Sequence, residues 1–130
     1  MNSVIEFHDS KVSGITYEGD NIIVRFISAY IHKSEGTPAY DSGTGWVQPA
    51  ELIIGAGSLE GTRPDFPCRI ADGKLECEGT VLDNILPLPF ECKSRIKLEL
   101  IFTTDSMVTL VGENAVLHLQ GEAKFIEDYQ

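Results

Sequence analysis

The sequence has no long apolar run. Within its 130 residues, no stretch approaches the ~18 consecutive apolar residues that a membrane-spanning helix requires. The first residues, Met1 to Glu6, lack the basic and apolar regions of a secretory signal. These absences predict a soluble, cytoplasmic protein that does not associate with membranes.

Cysteine is scarce as well. The chain has three cysteines, Cys68, Cys77 and Cys92, which lie far apart and form no C-x-x-C pair. An odd number of cysteines suits a reducing compartment better than a disulfide framework. We therefore expect free thiols.

Basic residues are outnumbered by acidic ones. Ten lysines and arginines face twenty aspartates and glutamates, which gives a formal net charge of -10. Such a charge repels phosphate backbones and anionic membrane surfaces, so nucleic-acid binding is not expected. The same charge would attract a basic protein partner, although acidic surfaces more often serve solubility alone.

Helical spacing of apolar residues is also missing, and alternation with a period of two dominates instead. The segments 74–81 and 95–103 alternate apolar and polar side chains, which is typical of half-buried strands in antiparallel sheets. The segment 21–32 is almost continuously apolar and β-branched, which predicts a central strand buried on both faces.

Turn signals divide the chain about every ten residues. Glu18-Gly19-Asp20-Asn21 predicts a hairpin between 12–17 and the central strand. Gly112-Glu113-Asn114 predicts a second hairpin, between 107–111 and a long closing strand that bends at Gly121.

These patterns define the expected fold class. With about eight strands and no crossover helix, we expect a single all-β domain over residues 1–130, an antiparallel β-sandwich or an open β-barrel. Pro49 removes one backbone donor, so the strand candidate 46–54 is expected at an edge of the sheet or split in two.

Two long connections interrupt the strands. The loop 33–45 is rich in Ser, Gly, Thr and Pro and contains Tyr40, with Trp46 directly after it. These two aromatic side chains could stack on a sugar or hold a peptide, whereas a tryptophan that opens a strand is more often part of the core. The segment 55–73 is one long meander, or it contains a short strand near 68–70.

The segment 83–90 is apolar but contains two prolines, so it cannot be a central strand. It either covers the core as a lid, which we favour, or exposes an apolar patch that binds a partner. Its candidate contact residues are Ile85, Leu86, Leu88 and Phe90.

Phe7-His8-Asp9-Ser10 contains the residue types of a catalytic triad. In an extended segment His8 and Ser10 would share a face while Asp9 pointed to the other, which is the wrong geometry for a triad. We expect a turn here, with Asp9 or Ser10 bonded to nearby backbone.

Together with the following hairpin at 12–25, this F-H-D-S segment resembles the amino-terminal part of small uncharacterised bacterial all-β proteins. Some of those proteins look like immunity proteins against toxins. The resemblance covers about a fifth of the chain. It implies a bacterial setting and supplies no active-site residues.

Motifs for metals and cofactors are not recognisable. His8, His32 and His118 are not at ligand spacing, and only the tertiary fold could bring them together. The glycines of 55–61 depart from the dinucleotide-binding fingerprint by one residue, and Arg63-Pro64 follows where a helix should begin. We predict no catalytic residues, no metal ligands and no cofactor.

Three functional hypotheses remain. The first is a non-enzymatic, acidic protein-interaction domain, of which an immunity-like protein is one form, that binds a basic protein through its loops or through 83–90. The alternative is a β-barrel, either a binding protein or an enzyme, that holds a small ligand or carbohydrate in a cavity lined by Tyr40, Trp46, His32 and His118. The third is a homo-oligomer. A deep pocket would favour the alternative, whereas a filled core with an exposed apolar patch would favour the first.

Overall fold

The computed structural model describes residues 1–129, and every regular element in that range is a β-strand. The all-β prediction is therefore confirmed, with twelve strands where the pattern predicted about eight. The strands are β1 (Asn2–Glu18), β2 (Asn21–Ser34), β3 (Gly43–Gly55), β4 (Ser58–Gly61), β5 (Cys68–Cys77), β6 (Thr80–Asp83), β7 (Ile85–Pro87), β8 (Glu91–Cys92), β9 (Ile96–Phe102), β10 (Met107–Gly112), β11 (Asn114–Leu119) and β12 (Lys124–Tyr129).

The strands form one antiparallel sheet that curls into a half-barrel. Along its main path the order is β4-β10-β9-β5-β1-β2-β3-β11-β8. Three strands lie beside this path, where β12 pairs with β3, β6 with β5 and β7 with β1. The prediction of an open barrel or sandwich agrees with this architecture.

The β1–β2 hairpin lies at the centre of the sheet, as the sequence predicts. Glu18 pairs with Asn21, and Gly19 adopts a φ of 62°, which the tight turn requires. Because β2 is flanked by β1 and β3, most of its side chains are buried.

Pro49 does not split β3, which runs unbroken from Gly43 to Gly55. On one side, Pro49 falls in the gap between the pairing of β12, which reaches Val47, and that of β11, which starts at Ala50. On the other side, it lies opposite a register shift in β2. The missing donor therefore falls where the sheet is interrupted, which explains why an interior strand tolerates this proline.

Two expectations about connectivity are wrong. The segment 74–81 is not one strand, because Glu78 and Gly79, both at positive φ, form the turn between β5 and β6. β10 and β11 do not pair as a hairpin, because β10 pairs with β4 and β9 whereas β11 pairs with β3 and β8. Alternation predicts strands well but carries little information about which strands pair.

The core lies inside the curl of the sheet. Phe7 and Phe102 are fully buried and are the largest side chains there. A Cβ on Gly73 would lie 2.7 Å from the Phe7 side chain, so only glycine lets β5 approach this ring. Burying such rings accounts for much of the driving force for closing the sheet.

The segment 83–90 forms the lid that we favoured. Ile85, Leu86 and Pro87 pair with β1 as strand β7. Leu86 is completely buried and Phe90 is 9% exposed, whereas Ile85 and Leu88 are half-buried. Leu86 and Phe90 therefore face the core, whereas Ile85 and Leu88 keep part of their surface exposed.

The expectation of three free thiols is wrong. Cys77 and Cys92 form a disulfide, and Cys68 is a free, buried cysteine. Cys77 ends β5 and Cys92 lies in β8, two strands that β1, β2, β3 and β11 separate along the sheet. The bond is possible because the curl brings them together, which sequence spacing does not show.

Within residues 1–129, no helix is long and apolar enough to cross a membrane.

Candidate functional sites

A cleft of about 750 Å³ opens between the edge of the curled sheet and the lid. Residues of β1, β2, β3 and β11 line it together with the end of the lid. Its lining residues are Met1, Asn2, Ser3, Val4, Ile31, Lys33, Pro38, Gln48, Pro87, Leu88, Pro89, Leu117, His118 and Leu119. Most of them are apolar, as in sites that bind small molecules.

The register of the sheet determines which side chains face this cleft. Ile31 pairs with Trp46 and Lys33 with Thr44, so these side chains share one face of the sheet. Leu119 pairs with Ala50, which lies on the same face. The side chain of His118, between two leucines of β11, alternates to the opposite face, so it borders the cleft without pointing into it.

Lys33 has the charged side chain among the residues that line the cleft. Met1, which also lines it, carries the N-terminal ammonium group, 4.0 Å from Glu35 Oε2. The Nζ of Lys33 lies 4.6 Å from the centre of the Trp46 ring, within the range of a cation–π contact. Within residues 1–129, no carboxylate comes within ion-pair distance of the Lys33 ammonium group. Lys33 therefore carries an uncompensated positive charge at the cleft of an acidic protein.

Trp46 packs beside the cleft but does not form a stacking platform for a sugar. One ring face carries Lys33, and Phe125 meets the ring edge-on with 5.4 Å between centroids. The indole N–H donates to Thr44 Oγ1 at 2.8 Å. Tyr40, 78% exposed in the loop after β2, is not among the residues lining the cleft.

A second group of polar side chains lies on the opposite face of the sheet. The Tyr30 hydroxyl donates to Glu127 Oε1 at 2.7 Å and contacts the Tyr129 hydroxyl. The Tyr129 ring also lies 4.3 Å from the ring of His32, measured between centroids. Burial, followed by the hydrogen bonds with Tyr129 and Glu127, raises the pKa of Tyr30 above its ordinary value.

His32, one of the proposed cavity residues, lies within this group and not in the cleft. Its ring is almost completely buried, and its Nδ1 accepts the backbone N–H of Ala39 at 2.6 Å. Its Nε2 is buried without a hydrogen-bond partner among residues 1–129. The predicted cavity that combines Tyr40, Trp46, His32 and His118 therefore does not form.

Glu6 lies next to His32 on this face. Its Oε1 is 3.8 Å from His32 Nδ1, and its Oε2 is 3.7 Å from His8 Nε2. Burial raises the pKa of the Glu6 carboxyl, and the nearby histidines oppose that shift. The fold thus brings His8 and His32 to the two oxygens of one carboxylate, while His118 lies elsewhere.

The F-H-D-S segment is a bulge within β1 and not the separate turn that we expected. Asp9 has a φ of 72°, and its Oδ2 lies 3.6 Å from His8 Nε2, so the bulge brings together two side chains that a regular extended strand would hold on opposite faces. Ser10 is fully buried and bonded to backbone, with its hydroxyl donating to Glu6 O and accepting from Tyr30 N–H. The expected backbone bonding is therefore present.

Residue patterns did not indicate two features of these sites. Lys33 is the last basic residue before a loop, and only the register of β2 against β3 shows that it lies on the same face as Trp46. Glu6 lies between the apolar residues Ile5 and Phe7, so alternation places it on the opposite face but does not show that this face is covered. Only the structure shows that Glu6 is buried.

Comparison of the chain with protein-family models, with curated proteins and with solved structures found no match. The resemblance to bacterial immunity-like proteins, and the bacterial origin that it implies, therefore stay predictions.

Proposed function

We propose that the chain is a binding protein for a small amphipathic anion, which it holds in the cleft beneath the lid. The volume of about 750 Å³ falls within the range of ~300–1,000 Å³ that is typical of small-molecule sites. Ile31, Leu117 and Leu119 would contact the apolar part of such a ligand. Two lid prolines, Pro87 and Pro89, stiffen the opposite wall.

The distribution of charged side chains around the cleft is the main support for this proposal. Twenty of the 130 residues are acidic, yet no acidic side chain is among the described residues that line the cleft. Lys33 is at its edge without a paired carboxylate among residues 1–129. An anionic head group next to Lys33 would be attracted there and repelled almost everywhere else on this surface.

The fluorescence of Trp46, the single tryptophan, can be used to measure ligand binding. Because Trp46 lies under Lys33, its fluorescence should respond when a head group contacts that lysine. We would titrate the chain with decanoate, decanol and decyltrimethylammonium, which share one alkyl chain and differ in charge. Decanoate should bind about tenfold more tightly than decanol, and the cation should bind most weakly.

Two variants locate the site. Leu119→Glu adds a carboxylate to the cleft wall and should weaken decanoate binding at least about tenfold. Val81→Glu makes a similar change at an exposed position outside the cleft and should leave binding unchanged. Lys33→Gln should reduce the affinity for decanoate to that for decanol.

Equal affinities for the three ligands, or equal losses in the two glutamate variants, would contradict the proposal. Isothermal titration calorimetry on the same samples provides a reading that does not depend on Trp46.

The acidic interaction domain with a basic protein partner stays a prediction, as does the homo-oligomer. Among the predicted contact residues, Leu86 and Phe90 are too buried to reach a partner. Leu88 retains exposure, so Leu88→Asp is the variant with which a captured partner should be tested. Cytoplasmic localisation also stays a prediction, against which the disulfide counts, because disulfides persist mainly in oxidising compartments.

A further inference from the structure

The bulge of β1 brings together three side chains of the kinds that bind metal ions. His8 Nε2 lies 3.7 Å from Glu6 Oε2 and 3.6 Å from Asp9 Oδ2, and all three ligand atoms lie within 4.8 Å of one another. With metal–ligand bonds of about 2.0–2.2 Å, tetrahedral geometry separates neighbouring ligand atoms by roughly 3.3–3.6 Å. The observed spacing is close to that of ligands around one ion.

This arrangement is held by the fold. β1 pairs with β2 up to Glu6 and again from Lys11, and the residues between them leave the regular register. The buried Ser10 hydroxyl fastens the bulge, because it donates to Glu6 O at 2.6 Å and accepts the N–H of Tyr30 at 2.9 Å. His8 and Asp9 are therefore held at the surface in a defined position.

The burial of the Glu6 carboxylate is an independent observation that points to a bound cation. Its side chain is only 9% exposed, and its two contacts with histidine nitrogens, at 3.7 and 3.8 Å, are too long for hydrogen bonds. His32 Nδ1 already accepts the N–H of Ala39, so it does not donate to Glu6. Among residues 1–129, no side chain or backbone N–H donates a hydrogen bond to this carboxylate, which is nine-tenths buried. Such burial is unfavourable for the ionised form, and a bound cation would compensate its charge.

We propose that Glu6, His8 and Asp9 bind one divalent transition-metal ion of the Zn²⁺ type. Two carboxylates and one imidazole are ligands that such ions accept. The side chains of His8 and Asp9 are 43% and 55% exposed, so the remaining coordination position faces solvent. An ion held by three protein ligands with an open position can take up water or an anionic ligand.

Asn84 controls how readily His8 binds the ion. Its Oδ1 accepts the backbone N–H of His8 at 2.8 Å, and its Nδ2 contacts His8 Nδ1. An amide N–H donated to Nδ1 leaves the proton on Nε2, the atom that must carry a lone pair to bind the metal. Ion binding therefore requires the proton to move to Nδ1 and the Asn84 amide to turn away.

Replacing Asn84 with aspartate removes this conflict. A carboxylate has two acceptor oxygens, one for the backbone N–H of His8 and one for a proton on Nδ1. Residue 84 has a φ of 64°, which aspartate tolerates about as well as asparagine. A carboxylate behind a ligating histidine orients the ring and raises its basicity.

The experiment is calorimetric titration of the tag-free, folded chain with Zn²⁺ alone, with Co²⁺ absorption spectra as a report on coordination. We expect one equivalent of Zn²⁺ to bind. Glu6→Gln, His8→Gln and Asp9→Asn should each weaken binding at least about tenfold. His118→Gln, which changes an exposed histidine outside the cluster, should leave it unchanged.

Asn84→Asp should tighten Zn²⁺ binding about tenfold. The double variant Asp83→Asn/Asn84→Asp has the same net charge as the parent, so nonspecific attraction of cations to an acidic surface would not tighten its binding. The proposal expects the tighter binding in this double variant as well. Circular dichroism of each variant checks that the fold is retained. The proposal fails if the parent binds no Zn²⁺, if His8→Gln binds as tightly as the parent, or if His118→Gln removes the binding.

Discussion

Tyr30 and Glu127 join the centre of the sheet to its last strand. The Tyr30 hydroxyl lies 2.7 Å from Glu127 Oε1, and a Cβ on Gly45 would collide with this hydroxyl. Gly45 pairs with Glu127 in the sheet, so the glycine creates the space through which the tyrosine reaches β12. Most other residues of β12 are exposed, which makes this contact important for holding the strand.

Tyr30→Phe should therefore loosen β12. Losing one hydrogen bond to a carboxylate should cost about 1 kcal/mol, and the effect should concentrate in Lys124–Tyr129. Hydrogen exchange of the β12 amides measures it. Tyr40→Phe, at a tyrosine that is 78% exposed, is the matched control. Uniformly faster exchange throughout the sheet would contradict a local role.

The stability of the parent should fall more steeply in alkali than that of Tyr30→Phe. Since the pKa of Tyr30 is raised above 10.0, the folded chain keeps a phenol proton that the unfolded chain releases. This contribution is fully present below pH 10.0 and is lost as the pH rises toward the folded-state pKa.

Between pH 10.0 and the folded-state pKa, the free energy of unfolding of the parent should decline by about 1.4 kcal/mol per pH unit more than that of the variant. Urea unfolding of both proteins below and above pH 10.0 provides the comparison. Parallel pH profiles would show that Tyr30 titrates alike in both states.

The disulfide should contribute substantially to stability. Cys77 and Cys92 are separated by 15 residues, and closing a loop of that size stabilises a fold by about 3 kcal/mol. Reduction, or the paired change Cys77→Ser and Cys92→Ser, should lower the free energy of unfolding by about that amount. Urea unfolding with and without reductant measures the loss.

Thiol counting provides the control for the disulfide. The denatured, unreduced chain should show one reactive thiol, from Cys68, and three after reduction. Three thiols before reduction would contradict the pairing.

Leu86 distinguishes a lid from a surface patch. Because it is completely buried, Leu86→Ala should destabilise the fold by about 2–5 kcal/mol. Val81→Ala, at a residue that is 51% exposed, should change stability by less than about 0.5 kcal/mol. Thermal or urea unfolding compares them, and a small effect at Leu86 would mean that the lid is not packed on the core.

Much of the local structure followed from residue patterns. The β1–β2 hairpin was predictable because Gly19 can adopt the positive φ that its turn requires. The lid at 83–90 was predictable because two prolines exclude an apolar segment from the interior of a sheet. Both inferences depend on backbone constraints that neighbouring residues impose.

The candidate sites were less predictable. The Glu6, His8 and Asp9 cluster depends on a bulge, and one extra residue in a strand reverses which face each later side chain occupies. The cleft combines Lys33 with Leu119 and Leu88, three residues from distant parts of the chain. Local patterns contain no information about such a combination.

The sequence by itself determined that this chain folds into antiparallel strands, because side chains alternate between the faces of a strand and only one face need be apolar. The tertiary structure decided which strands pair, that Cys77 reaches Cys92, and where a cleft opens beside Lys33. These features arise from the curl of the whole sheet, which depends on the packing of residues far apart in sequence.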